Sequence, residues 1–144
     1  MNPAIASSLK CWHEIIASGD MSRLHTLLAP DCVIRSPVAY QPYQGAERTA
    51  LVLATAAAVF EDFKYHRQFV NGPDVGLEFS ARVGQAELKG IDLIHFRDDG
   101  LITEFEVMVR PASGLQALGQ EMARRLGPVS AWLAHAPGLG GPRS

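Results

Sequence analysis

The sequence has few of the features that identify a function directly. Only two of its 144 residues are cysteines, and they do not form a C-x-x-C pair. It has no H-E-x-x-H segment, and no glycine-rich loop of the phosphate-binding type. Cys11 and Cys32 lie in segments whose apolar pattern indicates core, and no signal peptide precedes them. We therefore expect free, buried thiols and a cytoplasmic location.

The sequence also lacks a large excess of charge of one sign, and it lacks long apolar runs. The 13 basic and 15 acidic residues give a net charge of −2, so the basic surface of a nucleic-acid-binding protein is absent. No apolar run reaches the roughly 18 residues of a membrane span. The histidines do not have ligand spacing with carboxylates, so we expect no metal and no cofactor. A length of 144 residues with 47% hydrophobic residues suits one domain with its own core.

The first part of the chain has helical periodicity. Asn2 and Pro3 suit the start of a helix, and apolar residues follow at helical spacing. The pattern predicts helices at about 3–18, 20–29 and 45–60, with a short strand within 31–38. The third helix has almost no polar residue beyond Thr49, so we expect it to be buried on most sides.

From Phe63 onward the apolar period changes from 3.6 to 2. Strands are predicted at 63–71, 75–83, 89–97 and 101–110, separated by turn residues. A further amphipathic helix follows at 113–126, and the Pro/Gly-rich segment 127–144 is predicted to be a disordered tail. This order predicts an α+β domain over 1–126, with three N-terminal helices packed on one face of an antiparallel sheet and a helix appended at the C-terminus.

Asp92 is an unusual residue in this pattern. By alternation it shares a strand face with Leu88, Gly90, Ile94 and Phe96, which is otherwise apolar. An ionised carboxylate on such a face costs several kcal/mol unless it is paired or protonated. It is either a structural acid bonded to backbone amides or the polar group of an apolar cavity.

Three segments give the chain a resemblance to a known superfamily: "WHEIIASGD", "DCVIRSPV" with its following loop, and "GIDLIHFRDDGLI". Their order over roughly residues 4–110 resembles the nuclear transport factor 2-like superfamily, which includes ketosteroid isomerases, SnoaL-like polyketide cyclases and limonene epoxide hydrolases. The resemblance implies a cone-shaped fold, in which the helices close the concave face of a curved sheet into a pocket. It also implies that the convex face often forms a dimer.

The ketosteroid isomerase pattern implies roles for three positions. Its neutral carboxylic acid corresponds to Asp92, its general base to Ser36 and its oxyanion tyrosine to Trp12. Asp92 alone keeps the residue type of that pattern, so it is the candidate catalytic residue. The candidate ligand pocket consists of Trp12, Ile34, Ser36, Tyr40, Val52, His66, Arg67, Phe79, Ile94, Phe105 and Val107.

The charge state of Asp92 depends on the strand at 63–71. If that strand alternates regularly, either His66 or Arg67 faces inward. A cation there would keep Asp92 ionised, whereas an apolar environment would raise its pKa and keep it protonated. His13 is expected to be exposed.

Three functions remain open at this point. The chain is an isomerase- or cyclase-type enzyme acting on a small hydrophobic molecule through Asp92, a binding module for such a molecule, or an interaction domain with a filled cavity. The predicted outer face of the sheet mixes apolar and polar residues, which suits a homodimer. These residues are Ile91, Leu93 and Met108 with Ser80, His95 and Glu106.

Overall fold

The computed structural model describes residues 1–127 and contains three α-helices, a 3₁₀ helix and six strands in that range. The α-helices are α1 (Pro3–Ser18), α2 (Ala46–Val59) and α3 (Ala112–Leu126), and the 3₁₀ helix is Met21–Leu27. The strands are β1 (Leu28–Arg35), β2 (Tyr43–Gln44), β3 (Glu61–Asn71), β4 (Asp74–Val83), β5 (Ala86–Phe96) and β6 (Ile102–Arg110). The α+β class is as predicted, and so is the order of helices and strands except for β2.

The N-terminal helix has the predicted start and end. The side chain of Asn2 accepts hydrogen bonds from the backbone N–H groups of Ala4 and Ile5, which would otherwise lack partners at a helix start. Gly19 ends the helix in the left-handed conformation, with φ of 75°. The helix therefore holds a fixed apolar face, which includes Trp12, against the sheet.

The predicted second helix is wrong in type and in its C-terminal end. It is a 3₁₀ helix that stops at Leu27, and β1 already begins at Leu28 rather than within 31–38. Leu28 pairs with Ile102 of β6, and both residues are buried. Sheet pairing and burial therefore override the local helical pattern.

The six strands form one curved sheet in the order β2-β1-β6-β5-β4-β3. All neighbours are antiparallel except β1 and β6, which run parallel. A parallel pair is compatible with the long connection between these two strands, since it leaves enough chain for a crossover. The short strand β2, which was not predicted, pairs with β1 at the sheet edge. Helices cover the concave face, as the predicted cone requires.

Strand β3 does not alternate regularly, so the condition under which His66 or Arg67 was expected to face inward is not met. Tyr65 is opposite Phe79, but Gln68 is opposite Leu77, so the register shifts by one residue between them. Such a bulge turns consecutive side chains to the same face. His66 contacts the Ser80 hydroxyl at 2.7 Å, and Arg67 binds the Glu78 carboxylate on the outer face. Neither side chain points inward.

Several further predictions concern the chain as a whole. Cys32 is buried, Cys11 is half-buried, and both are free. No helix within residues 1–127 has the length and apolar character needed to cross a membrane. The predicted tail lies, apart from Gly127, outside the described residues, so the domain boundary near 126 stays a prediction.

Candidate functional site

A cavity of about 680 Å³ lies between the helices and the concave face of the sheet. Side chains from all three α-helices and from β1, β3, β5 and β6 form its wall, and most of them are apolar. Alanines of α2, among them Ala54 and Ala57, leave the space that larger side chains would fill. A volume of this size, lined in this way, is typical of small-molecule sites.

Asp92 lies in the wall of this cavity. It is in the middle of β5, opposite Leu77 of β4 and Val107 of β6, and its side chain is on the concave face. Only 6% of its surface is exposed. No cation among the described residues contributes to its ionisation. The carboxyl is therefore buried without a charged partner.

Two side chains orient the Asp92 carboxyl through consecutive hydrogen bonds. The Trp12 indole Nε1–H donates to the Tyr65 hydroxyl oxygen at 3.0 Å. The Tyr65 hydroxyl donates to Oδ2 of Asp92 at 2.6 Å. No other described residue bonds to the Asp92 carboxyl, so Oδ1 has no partner within residues 1–127. We refer to Trp12, Tyr65 and Asp92 as the relay.

Burial and the hydrogen bond from Tyr65 have opposite effects on the pKa of Asp92. Burial raises the pKa of Asp92 to about 7, and the hydrogen bond from Tyr65 partly opposes that rise. Burial and the nearby Asp92 charge raise the pKa of Tyr65, so this phenol stays protonated as a donor. Near neutral pH the site therefore contains both the ionised and the protonated form of Asp92.

Ser36 is a second polar residue in the cavity wall. It directly follows β1, and its Oγ accepts hydrogen bonds from the backbone N–H groups of Val38 and Ala39 at 3.3 and 3.2 Å. These bonds hold the start of the loop that leads to β2. They use the oxygen of Ser36 and leave its hydroxyl hydrogen without an acceptor among the described residues.

Most, but not all, of the predicted pocket residues line the cavity. Those that do so are Trp12, Ile34, Ser36, Val52, Asp92, Phe105 and Val107. Tyr40 does not, because its side chain is 96% exposed. His66 and Arg67 lie on the outer face because of the bulge in β3.

Phe79 and Ile94 are also absent from the cavity wall, although both are buried on the concave side. Phe79 stacks on Phe63 with ring centroids 5.0 Å apart and packs against Phe60. Ile94 belongs to the main apolar cluster beneath α1. The cavity occupies only part of the concave face, and these two positions are in the filled parts.

Three features of the site were not predicted. Tyr65 was not singled out, since the two faces of its strand could not be assigned from the sequence. His13, which was predicted to be exposed, is half-buried in the cavity wall and contacts Gln68 at 2.9 Å. The appended helix α3 also closes the cavity, with Leu118, Met122 and Leu126 in its wall. Its amphipathic pattern indicated burial but not the surface that it covers.

The fold and the site together define a class: a cone-shaped α+β protein whose helices close a curved sheet around an apolar pocket with a buried acid. The sequence profile of the SnoaL-like domain matches residues 9–105. The chain belongs to this family, and with it to the nuclear transport factor 2-like superfamily. A comparison with curated protein sequences gives no match.

The solved structures that are similar to this chain include the following three. A steroid delta-isomerase from Pseudomonas aeruginosa is 56% identical over 93% of this chain and 97% of its own, with a TM-score of 0.86. A bacterial protein with a cystatin-like fold from Silicibacter pomeroyi is 36% identical over 94% and 93% of the two chains, with a TM-score of 0.80. An NTF2-like protein from Mesorhizobium loti is 19% identical over 76% and 93%, with a TM-score of 0.68, and shares the fold.

Proposed function

We propose that this chain is an isomerase- or cyclase-type enzyme that transfers a proton on a small hydrophobic compound, with Asp92 as its acid–base group. The observation that carries the proposal is a carboxyl buried in the wall of an apolar cavity, held by one hydrogen bond and without a cation. Buried acids with such perturbed pKa values are concentrated at functional sites.

The chemistry requires only the carboxyl and a carbonyl compound. Asp92 as carboxylate takes a proton from a carbon next to, or conjugated with, the ligand carbonyl, and the electron pair of the C–H bond moves into an enolate. In an isomerisation the new carboxylic acid returns that proton to a different carbon. In a cyclisation the enolate carbon attacks a second carbonyl, and the proton of Asp92 goes to the alkoxide. Both reactions regenerate the Asp92 carboxylate.

The environment of Asp92 suits this role. A base works best when its pKa is near the working pH. A higher pKa makes it a stronger base, but at a pKa near the working pH a substantial fraction of the molecules is still ionised. An Asp with a pKa of about 7 is a stronger base than one with the ordinary value of 3.8. The surrounding wall is mostly apolar, and the Tyr65 hydroxyl holds one oxygen of the carboxyl by a hydrogen bond.

The 56% identical relative supports the reaction class, since that protein is named a steroid delta-isomerase. The ketosteroid isomerase pattern places its base at the position of Ser36, which has no carboxylate. We therefore assign the role of the base to Asp92, the carboxyl in the cavity wall.

The test measures conversion of a β,γ-unsaturated ketosteroid to its conjugated isomer by ultraviolet absorbance, together with deuterium uptake from D₂O by that steroid and by cyclohexenone. We expect kcat/KM to rise with pH with a midpoint near 7 and to reach a plateau about one unit higher, because Asp92 must be ionised to accept the proton. The D92N variant should lose at least about a hundredfold in kcat/KM. A D92N enzyme as active as the unchanged chain would contradict the proposal.

Non-catalytic binding of a hydrophobic molecule is the second candidate. It is favoured by one observation, the serine at the position where the isomerase pattern has its base. Binding of both ketones without deuterium uptake would establish it in place of the enzyme. The interaction domain with a filled cavity is disfavoured by the open volume of about 680 Å³.

A further inference from the structure

We propose that the Ser36 hydroxyl donates a hydrogen bond to a carbonyl oxygen of the ligand, so that Ser36 holds the oxygen and Asp92 faces the carbon that loses its proton. The part of this inference in which Asp92 removes a proton rests on the proposed function. The hydrogen bond from Ser36 does not, because it requires only that a ketone occupies the cavity. The two roles are the reverse of those in the ketosteroid isomerase pattern, where the base corresponds to Ser36 and the acid that donates to the oxygen corresponds to Asp92.

The hydrogen bonds of Ser36 fix the direction in which it can act. A serine hydroxyl has two acceptor lone pairs and one donor hydrogen. The backbone N–H groups of Val38 and Ala39 bind the oxygen, which leaves the hydrogen for a further acceptor. Since Ser36 lines the cavity, that acceptor is supplied by a bound molecule. The two amides also polarise the O–H bond and make it a better donor.

The sheet register places Ser36 and Asp92 in one row. The pairing of β1 with β6 ends at Arg35, which is opposite Glu106, and Ser36 follows directly, so that the same parallel register carried on by one residue brings Ser36 level with Val107. Val107 is itself opposite Asp92. Two strand spacings of about 4.8 Å therefore separate Ser36 from Asp92, roughly 10 Å between their Cα atoms. Val107 forms an apolar floor between two polar groups that both face the cavity.

This arrangement defines a substrate class. A matching ligand is largely apolar and has a carbonyl oxygen at one end and an acidic C–H group a few bonds away, close to Asp92. When Asp92 removes the proton, negative charge develops on the carbonyl oxygen. The Ser36 hydrogen bond then strengthens, because hydrogen bonds to a charged acceptor are stronger than those to a neutral one.

The experiment measures the binding of two probes that differ in one oxygen. Acetonaphthone has a carbonyl group, and ethylnaphthalene has the same ring without it. Affinities are measured by calorimetry for the unchanged chain, S36A, S36D and S36T. S36D keeps an acceptor for the two loop amides but, when ionised, has no hydrogen to donate. S36T keeps both acceptor and donor and serves as the matched control.

We expect S36A and S36D to reduce the preference for the ketone over the hydrocarbon by roughly three- to tenfold, the contribution of one neutral hydrogen bond. S36T should keep that preference. The effect should persist at a pH of about 9, where Asp92 is ionised and cannot donate. Changes in loop stability cancel in the ratio of the two affinities, because they affect the binding of both probes equally.

Two results would overturn the inference. Equal losses for both probes would mean that Ser36 only holds the loop. A ketone preference that disappears in the unchanged chain as pH rises through about 7, and that S36A leaves intact, would assign the donor to Asp92. Both outcomes are independent of the proposed proton transfer, which the D92N turnover experiment tests on its own.

Discussion

Tyr65 and Trp12 give the Asp92 carboxyl one fixed hydrogen bond, while the rest of its surroundings are apolar. The rise of its pKa from 3.8 to about 7 means that ionising this group in the folded protein is costly. One unit of pKa corresponds to about 1.4 kcal/mol, so the cost is on the order of 4 kcal/mol. That cost is the source of its strength as a base.

The D92N variant should be more stable than the unchanged chain at neutral and higher pH. Between about pH 4 and 7 the folded protein keeps Asp92 protonated while the unfolded chain ionises it, so stability falls as pH rises through that window and stays constant above it. The side-chain amide that D92N introduces stays neutral, and its oxygen can still accept from Tyr65. We expect a gain of about 1 to 3 kcal/mol at pH 8 and almost none at pH 4, measured by urea unfolding.

The control for that measurement is D99N. A hydrogen bond from Arg97 lowers the pKa of Asp99, so its contribution has the opposite sign and is lost as pH falls. D99N should therefore lower stability slightly at neutral pH. A D92N protein that is less stable than the unchanged chain at pH 8 would contradict our assignment of an unpaired buried carboxyl.

Tyr65→Phe should raise the pKa of Asp92 further. The Tyr65 hydroxyl stabilises the ionised carboxylate, so its removal favours the protonated form. The same change leaves the Trp12 N–H without its acceptor, and stability should fall by about 1 to 3 kcal/mol. The pH dependence of kcat/KM reports the shift. Tyr40→Phe, at a side chain that is 96% exposed, should change neither quantity.

At the scale of single elements, the bulge in β3 decides which charges approach the site. It turns His66 and Arg67 outward and keeps Phe63 and Tyr65 inward, with their rings 4.9 Å apart at the concave face. We therefore expect R67M and H66N to leave the pH profile of kcat/KM unchanged. A shift of the midpoint by half a unit or more in either variant would place a cation near Asp92 and contradict the observed register.

Helix α3 closes the cavity, and two glycines permit its close approach. A Cβ at Gly114 would lie 2.7 Å from the Cβ of Leu88 and 2.9 Å from the Glu87 carbonyl oxygen. A Cβ at Gly119 would lie 2.8 Å from the Val38 Cγ1, the end of a side chain that can move.

We expect G114A to destabilise the protein by about 1 to 3 kcal/mol, because the added methyl group pushes α3 away from β5. G119A should be nearly neutral, since the gain in helix propensity of about 1 kcal/mol offsets a small shift of Val38. Urea unfolding measures both, and ethylnaphthalene binding should weaken in G114A alone. Equal effects of the two substitutions would contradict the described docking of α3.

The sequence predicted the inward face of Asp92 and the order of the elements other than β2, because both depend on local periodicity. It could not predict Tyr65 as the partner of Asp92, since a bulge interrupts the alternation of β3 and bulges depend on pairing across strands. The sequence pattern placed Phe79 and Ile94 on the correct face of the sheet, but they do not line the cavity as predicted. The position of the open space depends on how the helices pack, which the pattern does not contain.

At the scale of the whole molecule, the outer face of the sheet stays half apolar. Met108 is 49% exposed and Leu93 is 37% exposed, next to the half-buried Ile91. We propose, as the sequence pattern indicated, that a second copy of the chain covers this face. Light scattering should give twice the 15.6 kDa of one chain, and the double variant L93K/M108E should give the monomer mass. A mass near 15.6 kDa for the unchanged chain at micromolar concentration would contradict the dimer.

The central claim is that Asp92 titrates near neutral pH inside an apolar cavity, and carbon NMR of the aspartate carboxyl groups tests it most directly. Spectra recorded from about pH 3 to 9 should show one aspartate with a midpoint near 7. That signal should be absent in D92N and should titrate at higher pH in Tyr65→Phe. If every aspartate carboxyl of the unchanged chain titrates below about pH 5, Asp92 has an ordinary pKa and the proposed acid–base role is wrong.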